Sequence, residues 1–155
     1  MTNTTPQAEV SDQDRTLARA YEGCLASAVR QADRVIASVF DERLREVGLR
    51  GTQLTLLGAV ASLDRPNQCE LAEATFTDPT TLSRNLDRLL ERGLIDRIEC
   101  KKDRRMRRYR LTDAGRQMLQ DALPLWKAAQ DEVSRRLGAE LCAVLCGVSG
   151  ALASG

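Results

Sequence analysis

Histidine is absent from the 155-residue chain. Its absence excludes a Ser-His-Asp or Cys-His nucleophilic site, histidine-ligated zinc and a histidine pH switch. Aromatic residues amount to only 3%, so a core has to be built from aliphatic side chains. The five cysteines, Cys24, Cys69, Cys100, Cys142 and Cys146, are odd in number, scattered, and form no C-x-x-C pair. Neither a disulfide scaffold nor a zinc ribbon follows from them, and the expectation is reduced thiols in a cytoplasmic protein. The longest uncharged run, the 15 residues from Leu141 to Gly155, falls short of the ~20 apolar residues that a membrane helix needs. The stretch MTNTTPQAEVSDQD has neither the basic start nor the apolar segment of a signal peptide. No phosphate loop, metal-ligand spacing or acid–base pair stands out, so no enzyme activity, metal or cofactor is expected.

An excess of one charge is lacking too. Lys and Arg total 23 against 22 Asp and Glu, a formal net charge of +1, which by itself argues against a nucleic-acid partner. The distribution reverses that argument. Residues 97–110 hold Arg97, Lys101, Lys102, Arg104, Arg105, Arg107, Arg108 and Arg110 against only Glu99 and Asp103. The segment therefore carries +6 and the remaining residues −5. Charges that serve solubility alone are mixed in sign. A one-signed segment on an otherwise acidic chain is the footprint of a phosphate-contacting element.

The pattern around this segment supplies its context. Residues 1–11 are polar and read as a loose N-terminus, and 12–155 as a single domain. From Asp12 to Val47, Leu17, Tyr21, Cys24, Ala28, Val35 and Val39 recur on one helical face, with Ser11 and Asp14 as a capping pair and Gly48 as the stop. One helix of this length outruns the core a monomer can offer, and it reads as a partner-binding helix, although Gly23 sits inside it. Thr52 is the expected N-cap of a second helix through Leu63, ended by Asp64-Arg65-Pro66-Asn67. Asn67 and Glu70 start a short third helix, and Asp78-Pro79 starts a fourth that buries Leu82, Leu86, Leu89 and Leu90 and stops at Gly93. Leu94–Cys100 and Arg108–Leu111 read as two strands joined by the basic turn. Thr112 caps a helix to about Leu137 that Pro124 should kink, and after Gly138 a last apolar helix runs from Ala139 to about Val148. Mainly helical, with one small hairpin after two short helices, this is the outline of a winged helix-turn-helix over residues 52–112.

In that outline the start of the fourth helix faces DNA. Thr80, Thr81, Ser83, Arg84, Asn85 and Arg88 are its polar residues. Arg84 suits bidentate contact with guanine and Asn85 with adenine, while the threonines and Ser83 suit phosphate or base edges. Helix-start chemistry explains Thr80 and Thr81 equally well, and plain exposure explains Arg84 and Asn85.

Over roughly residues 35–150 the chain resembles the MarR family of bacterial transcriptional regulators. Asp103-Arg104-Arg105, then five residues, then Leu111-Thr112 is similar to the family's wing pattern. Gln68–Glu73 resembles its third helix, Thr80–Leu89 its recognition helix, Glu91–Ile95 the turn into the wing, and Thr112–Arg116 the start of the next helix. The resemblance implies an intertwined homodimer held through its N- and C-terminal helices, here 12–47 and 113–150. It implies a repressor on a pseudo-palindromic double-stranded operator, released by small phenolic or other aromatic acids or by oxidants. On it, Arg105 is the wing arginine that enters the minor groove and Asp103 orients it, with Lys101, Lys102, Arg104 and Arg107 around them.

Two regulatory candidates follow. Some members of the family sense hydroperoxides through a first-helix cysteine, which makes Cys24 a candidate; judged from Phe40, the reactive position falls at Ala26. Cys24 also fits as a small apolar residue on the buried stripe of its helix. Trp126, the sole tryptophan, is a candidate wall of an effector pocket among the first helices, where Arg15, Arg19, Arg30 or Arg34 could hold a carboxylate. A winged-helix module that binds an acidic protein instead of DNA is the alternative from a different class.

Overall fold

The chain was analysed as a computed structural model that describes residues 11–99 and 107–153. It divides into two units with the boundary after Val35. The first contains α1 (Asp12–Ala20) and the beginning of α2 (Leu25–Leu44). Ser11 caps α1, its hydroxyl accepting the Asp14 N–H at 3.1 Å. The single helix expected over 12–47 is therefore two. Tyr21–Gly23 form a turn, and Gly23 adopts φ +84°, a left-handed conformation that costs glycine nothing and stops a helix. The apolar periodicity continues across the break, which is why the sequence reads as unbroken.

The second unit carries the rest of α2, a 3-10 turn (Arg45–Val47), α3 (Gly51–Ser62), α4 (Gln68–Thr75), α5 (Pro79–Glu91), β1 (Ile95–Glu99), β2 (Arg107–Leu111), α6 (Asp113–Leu137) and α7 (Ala139–Ala153). Its core is aliphatic, as the scarcity of aromatics requires. Leu44, Leu49, Leu56, Leu57, Leu71, Leu82, Leu86, Leu89 and Ile95 are buried together, and Tyr109 is the one aromatic among them. Three expected helix starts are present. Asn67 accepts from the Cys69 and Glu70 N–H groups while the Glu70 carboxylate accepts the Asn67 N–H. Asp78 precedes Pro79 at α5, and Thr112 precedes α6. The start of α3 differs. It begins at Gly51 rather than after Thr52, because Asp41 of α2 accepts the Gly51 N–H at 2.7 Å and Gln53 accepts the Arg50 N–H. An acceptor borrowed from another helix replaces the local cap. Pro124 lies inside α6 without ending it. Among the described residues no helix is long and apolar enough to cross a membrane.

The hairpin is antiparallel, with Ile95 opposite Leu111 and Glu99 opposite Arg107. Two strands alone are marginally stable in water, and this pair is held along one edge and at its base. On one side the Tyr109 N–H donates to the Pro66 carbonyl at 2.9 Å, and Asn67 forms a bridge with Arg108. At the base, where β1 begins and β2 ends, the Thr112 hydroxyl donates to the Gly93 carbonyl at 2.7 Å and accepts the Gly115 N–H at 3.0 Å. Helix α6 thus starts pressed against the beginning of the hairpin, so closely that a Cβ on Gly115 would lie 2.0 Å from the Leu94 carbonyl oxygen. Gly115→Ala is expected to lower stability by about 2–4 kcal/mol, because backbone and not a yielding side chain is in the way. Urea denaturation of the variant checks this.

Candidate nucleic-acid interface

Helix α5 is built to show one face. Leu82, Leu86 and Leu89 recur at steps of four and three and are buried, while Thr80, Thr81, Arg84 and Arg88 are exposed and Ser83 is half-buried. Thr80, Arg84 and Arg88, four residues apart, form one outward stripe. Its N-terminal end is fixed by the Asp78 carboxylate, which accepts the Thr80 and Thr81 N–H groups at 3.1 and 3.0 Å. Pro79 at the first helical position has no N–H to satisfy. The Thr81 hydroxyl also bonds the Asp78 carboxylate, so that carboxylate occupies the positively polarised end of the helix.

Asn85 is not part of that stripe. Three residues after Leu82, it falls on the inner side and is only 8% exposed. The exposed, base-reading Asn85 expected from the sequence meets a side chain packed with the leucines. Residue type suggested an adenine reader, but the helical phase turns it inward.

The hairpin's charge also divides in two. Arg97 reaches the Asp87 carboxylate of α5 at 3.0 Å, and Arg110 pairs with Asp96 across the strands at 3.2 Å. Arg108 donates to the Arg65 carbonyl at 2.6 Å and stands 3.7 Å from the Glu70 carboxylate. Three of the eight cations thus brace the base of the hairpin. Arg107 is exposed at the start of β2. Lys101, Lys102, Asp103, Arg104 and Arg105 lie outside the described residues. Sequence reading overlooked the brace, as well as Arg92, whose guanidinium donates to the Gly48 and Val47 carbonyls at 2.7 and 3.3 Å. The alternation of Asp87, Asp96, Arg97 and Arg110 was the available signal for the brace.

The regulatory candidates stand elsewhere. Cys24 is exposed in the single chain, and the break at Gly23 places it just ahead of α2. Its carbonyl accepts the Ser27 and Ala28 N–H groups, each at 3.0 Å. Hydrogen bonds from the Ser27 backbone and side chain, then from the Ala26 N–H, hold its thiol below the usual range. Trp126 is 40% exposed on α6. It borders neither the groove of about 730 Å³ between the end of α3 and the start of α6 nor the polar hollow beside Arg43 and Glu132. Among the described residues no three His, Cys, Asp or Glu side chains could hold a metal ion.

The Asp78 cap has a pH signature. Hydrogen bonds from the Thr81 side chain and backbone hold its carboxyl below the ordinary value. A lowered folded-state pKa means stabilisation present above the unfolded pKa and lost as pH falls through the folded one. The stability gap between the native chain and Asp78→Ala is therefore expected to be open at pH 7 and to close as pH falls through the folded-state pKa. Urea unfolding across that range measures it, with Asp78→Asn retaining a cap at every pH.

A family model described as "MarR family" matches residues 47–106. The chain is 32% identical to the Mycobacterium tuberculosis transcriptional regulator MosR, solved in complex with DNA, covering 84% of this chain and 97% of that one at a TM-score of 0.72. It is 26% identical to a probable transcriptional regulator from Pseudomonas aeruginosa, over 84% and 98% of the two chains, with a TM-score of 0.74. At 18% identity it shares the fold of Bordetella bronchiseptica BpsR over 87% and 96%, with a TM-score of 0.77. Together with the capped helix α5 and the braced hairpin, these matches show that the chain belongs to the MarR family of transcriptional regulators.

Proposed function

We propose that this chain is a homodimeric, sequence-specific repressor that binds a pseudo-palindromic operator in the cytoplasm and leaves it on binding a small aromatic acid. The observation that carries the DNA reading is the outward stripe of Thr80, Arg84 and Arg88 next to a hairpin whose base is neutralised by Asp87, Asp96 and Glu70. MosR, similar to this chain, was solved with DNA bound. In this reading Arg84 contacts base edges, Thr80, Thr81, Ser83 and Arg88 hold the backbone, and Arg105 with its basic neighbours enters the minor groove. Asn85 supports the helix from within.

The dimer is favoured by apolar surface on the terminal helices. Leu17, Tyr21, Leu25 and Val29 are exposed on α1, its turn and α2, and Leu141, Val144 and Leu145 on α7. Apolar rows of this extent ask for a partner. Two-fold symmetry then matches a palindromic site, with one α5 per half-site. The aromatic-acid reading is favoured by the groove between α3 and α6. Val60, Leu111 and Leu119 line it together with Arg65 and Asp64, while Arg110 and Arg116 there are paired with Asp96 and Asp113, which leaves Arg65 as the cation to meet a carboxylate. A ligand there would lie at the hairpin's base, where it can shift the wing. BpsR, of the same fold, has its DNA binding regulated by 6-hydroxynicotinic acid.

A second reading rests on the exposed, acidified Cys24 thiol at the start of α2: an oxidant converts it to a sulfenic acid and releases the operator.

Mobility shifts on the DNA upstream of the chain's own gene test these readings. Arg105→Ala is expected to weaken all duplexes alike and lower the salt slope by about 1 per wing, and Arg84→Ala to relax base preference at one position per half-site. Unchanged affinity in both overturns the DNA reading and leaves the acidic-protein alternative. Release by an aromatic acid, blunted in Arg65→Ala, supports the groove. Release by peroxide that is lost in Cys24→Ser supports the thiol, and release that survives the substitution excludes it.

A further inference from the structure

Phe76 ends α4 and opens the turn into α5. Its backbone is left-handed, with φ 49° and ψ 38°. Among the described residues only Arg65 shares a positive φ without being glycine. Its N–H donates to the Ala72 and Glu73 carbonyls, so the turn is a helix-ending one in which glycine or asparagine is the unstrained choice. A bulky aromatic in this conformation is a true outlier. The fold offers nothing in exchange. The ring is 75% exposed and belongs to neither apolar cluster of the second unit. In a chain with only five aromatic residues, one is held strained and in water, two residues ahead of the Asp78 cap of α5. Strain without a structural return points to a contact made outside the chain.

We propose that Phe76 is a specificity-determining DNA contact, its ring packing on a thymine methyl at the edge of the major groove. The methyl is the one apolar group that the groove displays, and an exposed phenyl is complementary to it. The inference rests on the DNA reading above. It adds an apolar contact, from the turn, to the polar contacts assigned to α5.

The test selects binding sites from a randomised duplex pool with the full-length chain and with Phe76→Gly and Phe76→Asn. The native chain is expected to enrich thymine at one position per half-site that both variants leave free, the other positions staying the same. On the natively selected duplex the variants are expected to bind roughly 5- to 10-fold more weakly per half-site. Replacing that thymine by deoxyuridine, which removes only the methyl, should cost the native chain a similar factor and the variants nothing. Both variants should melt at or above the native temperature, since the strain is relieved. Variants that select the same thymine with unchanged affinity overturn the proposal. So does a loss of equal size on thymine and deoxyuridine duplexes, or a fall in melting temperature, which would make the ring a structural one. A native chain that selects no sequence overturns the DNA reading itself, a result that cannot be mistaken for the others.

Discussion

The contact between the first turn of α6 and the backbone at Leu94 is the constraint on which the winged part of the molecule depends. A two-stranded hairpin has no sheet to belong to, so its direction is set by what grips its ends. Here one hydroxyl, that of Thr112, joins the residue before the hairpin to the helix after it. Glycine at 115 lets those two backbones meet. Along the outer edge of β2 the Pro66 carbonyl takes the Tyr109 N–H. Because Leu94 follows directly from α5, the same grip sets the angle between the helix and the hairpin, and hence which surfaces can meet a duplex together.

Electrostatics repeat that arrangement on a coarser scale. The arginines nearest the body of the protein are spent on Asp87, Asp96 and Glu70 and make the base of the hairpin stiff. Those nearest the tip have sequence neighbours mostly of the same sign, with Asp103 the one acid among them. Among the described arginines, position along the hairpin thus decides which ones brace it: Arg97, Arg108 and Arg110 pair with acids or a carbonyl, while Arg107 is exposed. Exposed pairs of this kind contribute little stability individually. Their value lies in orientation, since Arg97 links β1 to the helix that precedes it.

Much of the fold was legible because its signals are local. Asn67 with Glu70, Asp78 with Pro79, and Thr112 each satisfy N–H groups within three residues, so the pattern and the bond are the same object. The leucine phase of α5 was equally plain. Three features were not. The break at Gly23 is hidden because both helices keep one apolar period. The start of α3 depends on Asp41, ten residues away on another helix. Asn85 looked like a reader because its amide suits adenine, yet a single helical step from Leu82 puts it inside. The exposed face of α5 was therefore legible as a surface, while which residues lie on it needed the third dimension.

The near absence of aromatic side chains has a spectroscopic consequence. The chain has one indole, and it sits on α6, two-fifths exposed, instead of in the leucine core. Part of the ring already meets water in the folded chain, so its fluorescence is expected to respond to the covering of the α6 surface as well as to melting. The buried phenol of Tyr109, between the hairpin and the helices, is the chromophore that reports on the wing. Of the chain's one indole and two phenols, Trp126 and Tyr109 thus observe different parts of the molecule, while Tyr21 stands exposed after α1.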